Sequence, residues 1–180
     1  MSGPAHALMD SSEIGRAVDD LARTIASTSR AGVPLAIVGI RTRGLTLAKR
    51  LVELLRDRHS ISVEFGALDI TLYRDDLSHI AHSPVLRGTE VPFGVDDKDV
   101  VLVDDVLFTG RTIRAAMDVM FDLGRPGAIR LAVLIDRGHR ELPIQPDYCA
   151  CRVTTGRDER VTVRLKENDG VDEVCKESMS

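Results

Sequence analysis

Two adjacent carboxylates, Asp104 and Asp105, separate an apolar run from a small-residue turn in Val100-Val101-Leu102-Val103-Asp104-Asp105-Val106-Leu107-Phe108-Thr109-Gly110-Arg111-Thr112. Four apolar, mostly β-branched residues suit a strand covered on both faces, so the pair is expected where that strand ends and the chain turns. Thr109, Gly110 and Thr112 then lead into an apolar repeat at helical spacing, Ile113, Ala116, Met117, Met120 and Phe121. A helix that starts this way offers backbone N–H groups, two hydroxyls and the positive end of its dipole to an anion, with Arg111 adding charge. Gly110 lets the backbone approach the ligand closely. A phosphate site beside two carboxylates fits a ribose 5-phosphate, whose 2′ and 3′ hydroxyls would donate to Asp104 and Asp105. The loop is no Walker A, because Gly-x-x-x-x-Gly-Lys is absent. Each residue also has an ordinary role to weigh: aspartates cap helices and Thr-Gly builds turns.

Three further clusters carry charge at the ends of apolar segments. Arg41, Thr42 and Arg43 follow the run Leu35 to Ile40, where cations and backbone amides could hold a second anion such as pyrophosphate. Asp69-Ile70-Thr71-Leu72-Tyr73-Arg74-Asp75-Asp76 has no amphipathic reason for its last charges, and as a lid it would bring Arg74 over a leaving group. Asp136-Arg137-Gly138-His139-Arg140-Glu141 follows the apolar run Ile129 to Ile135.

The elements that must position these groups follow from periodicity. Ile14, Ala17, Val18, Leu21, Ala22 and Ile25 define an amphipathic helix behind a capping signature, Asp10 or Ser11 with Glu13. Leu35 to Ile40 is of strand length, and Leu47, Ala48, Leu51, Val52 and Leu55 repeat as a helix. Ile61, Val63 and Phe65 alternate as a strand that continues toward Tyr73. The polar stretch 74–94, with Pro84, Gly88 and Pro92, is expected to be a lid excursion over the sheet edge. The helix after the acidic pair stops at Gly124, with Pro126 just beyond. Past Pro143 and Pro146, short strands near Cys149 to Val153 and Val161 to Leu165 are expected to form a small cap. The fold class is therefore α/β, a parallel sheet flanked by helices, with ligands at the carboxyl ends of its strands.

With 180 residues the chain can bury one substantial core. No apolar run reaches membrane-spanning length, and Met1 to Met9 has neither the basic segment nor the apolar core of a signal peptide. Three cysteines without framework spacing point to reduced thiols, so a cytoplasmic protein is expected. Cys149 and Cys151 lack a second ligand pair, and five scattered histidines supply none. A net charge of −4, with four Phe, two Tyr and no Trp, leaves any nucleic-acid binding to a local basic patch.

Four segments together resemble the pyrimidine operon regulator and uracil phosphoribosyltransferase family, PyrR: Gly39-Ile40-Arg41-Thr42-Arg43-Gly44, Asp69 to Ser78, Val100 to Thr112, and Leu131 to Ile144. They run in family order from near residue 13 to about 170. The strings DITLYRDDL and DRGHRELP separate this family from other type I phosphoribosyltransferases; a transferase for a purine base without an RNA role, the alternative reading, shares mainly the phosphate loop. The resemblance implies one domain over 1–180, with a lid at about 74–94 and a C-terminal hood at about 136–170. It also implies transfer of phosphoribosyl from phosphoribosyl pyrophosphate to N1 of uracil, giving UMP and pyrophosphate. By the match, Asp104 and Asp105 hold the ribose, Leu107, Phe108, Thr109, Gly110, Arg111 and Thr112 the 5′-phosphate, and Arg41, Thr42 and Arg43 the pyrophosphate. Arg74 would act from the lid, and Asp136 and Arg137 would face the base. Mg²⁺ would ride on substrate oxygens, with no direct protein ligands expected.

The family's second role is UMP-dependent binding of a pyrimidine operon leader RNA, in an assembly that the resemblance implies is a dimer or higher. Here the chain departs from the pattern. Asp19 and Asp20 lie where relatives often carry a basic face on the first helix, with Arg16 and Arg23 retained. Cys151 takes the place of a usual hood lysine, and Phe108 that of a frequent tyrosine. Fewer phosphate-pairing cations should weaken RNA affinity, leaving His139, Arg140, Arg152 and Arg157 as the candidate patch.

Overall fold

A computed structural model describes residues 6–70 and 88–179. In chain order the elements are β1 (His6–Met9), α1 (Ser11–Thr28), β2 (Leu35–Ile40), α2 (Arg43–His59), β3 (Val63–Leu68), β4 (Asp99–Leu107), α3 (Arg111–Leu123), β5 (Ala128–Asp136), β6 (Tyr148–Arg152), β7 (Glu159–Arg164), α4 (Lys166–Asp169) and β8 (Glu173–Ser178). The fold is α/β: β3-β2-β4-β5-β6 form a parallel sheet. A second, antiparallel sheet has the order β1-β8-β7.

Both faces of the parallel sheet are buried, as its apolar strands require. Ile14, Val18, Leu21, Ala22 and Ile25 of α1 pack with Leu47, Ala48, Leu51, Val52 and Leu55 of α2 on one face, against Leu35, Ile37, Val101 and Val103. Val161, Val163 and Val174 of the small sheet join that cluster. On the other face, Ile113, Ala116, Val119 and Met120 of α3 meet Val38, Leu102, Leu131 and Val133. Phe121, expected on this inner face, is instead exposed and stands outside the cluster. The Asp10–Glu13 capping box closes the N-terminus of α1, as the sequence signature requires.

The strand order creates the crevice. The chain leaves β2, adds β3 on one side, then returns across β2 to place β4 on the other. Loops after β2 and β4 therefore diverge, and ligands bind at such a switch point.

Two expectations about the strands are corrected. β4 does not end before the acidic pair but runs to Leu107, since its ladder with β5 continues through Asp104↔Val133, Val106↔Ile135 and Leu107↔Asp136. The segment near Cys149 is not cap but the fifth parallel strand, reached by the irregular connection 137–147 rather than by a helix. Within the described part of the stretch expected as a lid, Glu90 bridges Ala67, and Val95, just past that stretch, is in the core. Tyr73, Arg74, Asp75 and Asp76 lie outside the described residues.

Candidate active site

The acidic pair lies in β4, where side-chain alternation breaks. Val101, Val103 and Val106 all face the α1/α2 cluster, whereas Leu102 and Leu107 face α3, so the register of faces shifts between Val103 and Val106. Asp104 is buried, and the Asp105 N–H donates to its Oδ1 at 2.9 Å. Burial first, and the neighbouring Asp105 charge second, push the Asp104 carboxyl well above its usual value. A buried carboxylate this crowded gains when polar hydrogens or a cation arrive, which suits a pair that receives sugar hydroxyls.

Above the pair, α2 comes unusually close to the sheet. A Cβ at Gly44 would lie 2.5 Å from the Val103 carbonyl oxygen and 3.0 Å from Asp104 Cα, and one at Gly39 would lie 2.5 Å from Leu45 Cα. Both positions exclude a side chain, so the start of α2 rests directly on β2 and β4. The Arg41–Thr42 peptide is cis. Arg41 N–H donates to Leu68 O at 2.9 Å and its Nε to Gly88 O at 2.9 Å, while Glu90 lies 3.4 Å from its guanidinium. Arg43 gives Nε and Nη2 to Asp169 at 3.1 and 2.7 Å. Asp105 is the other carboxylate that raises the Arg43 pKa, after Asp169.

The loop after β4 is held from beneath by the connection 137–147. Glu141 and Leu142 N–H groups donate to Thr109 O at 2.9 and 3.2 Å, and Arg137 N–H to Leu107 O at 3.1 Å. Gly110 has a left-handed φ of 93°, with Ile144 Cβ 3.3 Å from where a Cβ would be. As N-cap it supplies no side-chain oxygen to α3. The first turn is thereby presented to an anion, apart from the Arg111 N–H, which reaches Thr109 Oγ1 at 3.3 Å. The Arg111 Nε pairs with Glu141 at 2.8 Å, so part of its charge is already taken up.

Sequence reasoning missed how the segment Asp136 to Ile144 works. Arg140, expected to face RNA, turns inward: Nε donates to Ile144 O at 2.8 Å, Nη1 to Phe108 O at 2.9 Å, and Nη2 to Asp136 Oδ1 at 2.6 Å. It is the staple between phosphate loop and hood, a role that residue type alone does not reveal. Arg140→Ala would leave the buried Asp136 carboxylate with only the Gly138 N–H at 3.0 Å and Arg152 at 3.9 Å among the described residues, and is expected to destabilise the protein by about 1–3 kcal/mol, read as a lower urea midpoint at unchanged slope.

Asp136, Arg137, Gly138, His139, Arg152, Val153, Thr154 and Thr155 line a pocket of about 360 Å³ at the carboxyl ends of β5 and β6. Arg137 is buried and stacks 4.0 Å over the Phe108 ring, with Nη2 donating to Glu159 O at 2.6 Å. Burial pulls its guanidinium below the usual value, and its Nε has no partner among the described residues. His139 Nε2 lies 2.6 Å from Thr155 O, and its ring meets Phe108 edge-on at 6.0 Å. Arg152 and Arg157 are exposed. On α1, Asp19 pairs with Arg58 and Asp20 with Arg23.

Fold and site together define a phosphoribosyltransferase, and the phosphoribosyl transferase domain family matches residues 5–166. The chain is 50% identical over 174 residues to the Bifunctional protein PyrR of Deinococcus deserti, covering 97% of this chain and 95% of that protein. It is 53% identical over 167 residues to the Bifunctional protein PyrR of Pelotomaculum thermopropionicum, covering 93% and 92% respectively. A solved hypoxanthine-guanine phosphoribosyltransferase from Bacillus anthracis shares the fold with a TM-score of 0.72 at 16% identity, over 96% of this chain and 98% of that one. The chain belongs to the PyrR family.

Proposed function

We propose that this protein transfers the phosphoribosyl group of phosphoribosyl pyrophosphate to uracil and, with UMP bound, binds a pyrimidine operon leader RNA. The observation that carries the catalytic half is the meeting of the Asp104–Asp105 pair, the open first turn of α3 and the Arg41–Arg43 loop at one switch point. In the reaction the C1′–oxygen bond to pyrophosphate breaks, N1 of uracil forms the new bond to C1′, and N1 gives up its proton. Positive charge develops at C1′, so the protein's task is positioning and charge balance. Asp104 and Asp105 accept from the ribose hydroxyls, Leu107 to Thr112 hold the 5′-phosphate, and Arg41 to Arg43 hold the pyrophosphate. Arg74, outside the described residues, would complete the pyrophosphate site from the lid.

The pocket beside Phe108 receives the base against Asp136 and Arg137. Mg²⁺ would ride on the pyrophosphate and ribose oxygens without direct protein ligands, beside the Asp104 and Asp105 carboxylates, and would neutralise pyrophosphate charge. Incubation with phosphoribosyl pyrophosphate, Mg²⁺ and uracil, hypoxanthine or guanine in parallel tests the assignment. UMP formation from uracil alone is expected; turnover of the purines instead would replace it.

The RNA half rests on the family relationship and on the exposed Arg152 and Arg157, since Arg140 is internal and the α1 aspartates neutralise nearby arginines. UMP-dependent retention of leader RNA is expected to weaken with salt, and Arg152→Ala or Arg157→Ala should each reduce the salt slope by about 1. Retention no better than that of a scrambled RNA would limit the protein to catalysis. We place it in the cytoplasm as a dimer or higher oligomer. No helix among the described residues is long and apolar enough to cross a membrane.

A further inference from the structure

One face of α2 carries Arg43, Thr46 and Arg50, and all three are bound by the turn around α4. Arg43 takes Asp169, buried Thr46 donates to Asn168 Oδ1 at 2.7 Å, and Arg50 takes both Glu167 at 2.6 Å and Asp172 at 2.7 Å. The turn belongs to the small sheet, whereas Arg43 opens the helix that carries the loop after β2. Asp169 is itself fixed, since its Oδ2 accepts the Leu165 N–H at 2.9 Å. Arg43 and that N–H hold its carboxyl below the usual value, so it is ionised at neutral pH.

The geometry of the fork is specific. Asp169 engages Nε and Nη2 along one edge of the guanidinium, leaving Nη1 with no partner among the described residues. A long arginine at the first position of a helix would otherwise sample many rotamers. A planar fork locked along one edge presents its remaining donors in a single direction.

We propose that Asp169 is a positioning residue for pyrophosphate: it holds the Nε/Nη2 edge of Arg43 so that Nη1 is preset for the anion. This rests on the reading of Arg43 as part of the pyrophosphate site. The small sheet thereby contributes to the chemistry through Arg43, without touching substrate.

Calorimetric titration of the full chain with inorganic pyrophosphate and Mg²⁺ tests this without involving the base. Asp169→Ala is expected to raise the Kd about ten-fold through lost orientation, and Asp169→Asn, which can still accept from Leu165 and one Arg43 N–H, by less. The double variant with Arg43→Ala should bind no more weakly than Arg43→Ala alone. A merely structural Asp169 would lower Tm in both variants while leaving Kd unchanged, and that result overturns the proposal, as does tighter binding in Asp169→Ala. If Asp169→Ala does not fold, Asp169→Asn decides by the same Kd. Unchanged affinity in Arg43→Ala removes Arg43 from the pyrophosphate site, a failure distinguishable from that of Asp169.

Discussion

Asp104→Asn combined with Asp105→Asn is expected to abolish transferase activity while raising the melting temperature at neutral pH. Each carboxylate that accepts a ribose hydroxyl contributes a charged hydrogen bond of about 1.5–3 kcal/mol, so losing both should lower kcat/KM by roughly 10²–10⁴. The stability effect has the opposite sign. The folded-state pKa of Asp104 is raised, so the folded protein holds a proton more tightly than the unfolded chain. Stability from this group is therefore full below the unfolded pKa, near 3.8, and is lost as pH rises toward the folded value. The neutral amide escapes that loss. The difference in Tm between variant and parent should shrink to nothing as pH falls toward 3.8, and a variant that is both inactive and less stable at neutral pH would contradict the burial argument. The pair is retained, on this account, because catalysis needs it where folding does not.

The second large effect is expected at Gly44. A methyl group there would lie 2.5 Å from a backbone oxygen of β4, and backbone in the centre of a parallel sheet does not yield. α2 must then lift away from the strand. Overpacking of this kind destabilises by about 1–3 kcal/mol, but the kinetic effect should be larger, because Arg41 to Arg43 ride on the start of that helix. A displacement near 1 Å at a positioning loop lowers rates by about 10²-fold. Gly44→Ala should therefore raise KM for phosphoribosyl pyrophosphate and lower kcat, at temperatures where circular dichroism shows the protein still folded. Parent-like kinetics would mean that the close seat of α2 is unimportant to the loop.

Local pattern and distant partners shape this fold in different degrees. Elements set by local pattern were legible: the Asp10–Glu13 box starts α1, Leu35 to Ile40 forms β2 within the bounds read from its apolar run, and Gly124 ends α3. Features set by distant partners were not. The acidic pair looked like a strand end because carboxylates disfavour strands, yet β5 on one side keeps the ladder going to Leu107. Tyr148 to Arg152 looked like cap because no helix precedes it, and parallel strands usually require one. Of the site, the residue types and their loops were readable, since phosphate and hydroxyl chemistry leaves a compact signature. What holds them was not: neither the inward turn of Arg140 nor the grip of Asp169 on Arg43 follows from spacing, because each depends on segments brought together by the fold.

The small sheet also fixes an order of events during synthesis. Its central strand, β8, pairs with β7 just before it and with β1, the first strand described, where Ala7 aligns with Cys175. β6 precedes the small sheet's β7 and β8 in the chain, and β1 must wait until β8 has emerged before it can pair. Removing β1 or removing β8 should therefore open the same small sheet from different sides, and the loss of β8 should cost more, because Val174 belongs to the core shared with α1 and α2.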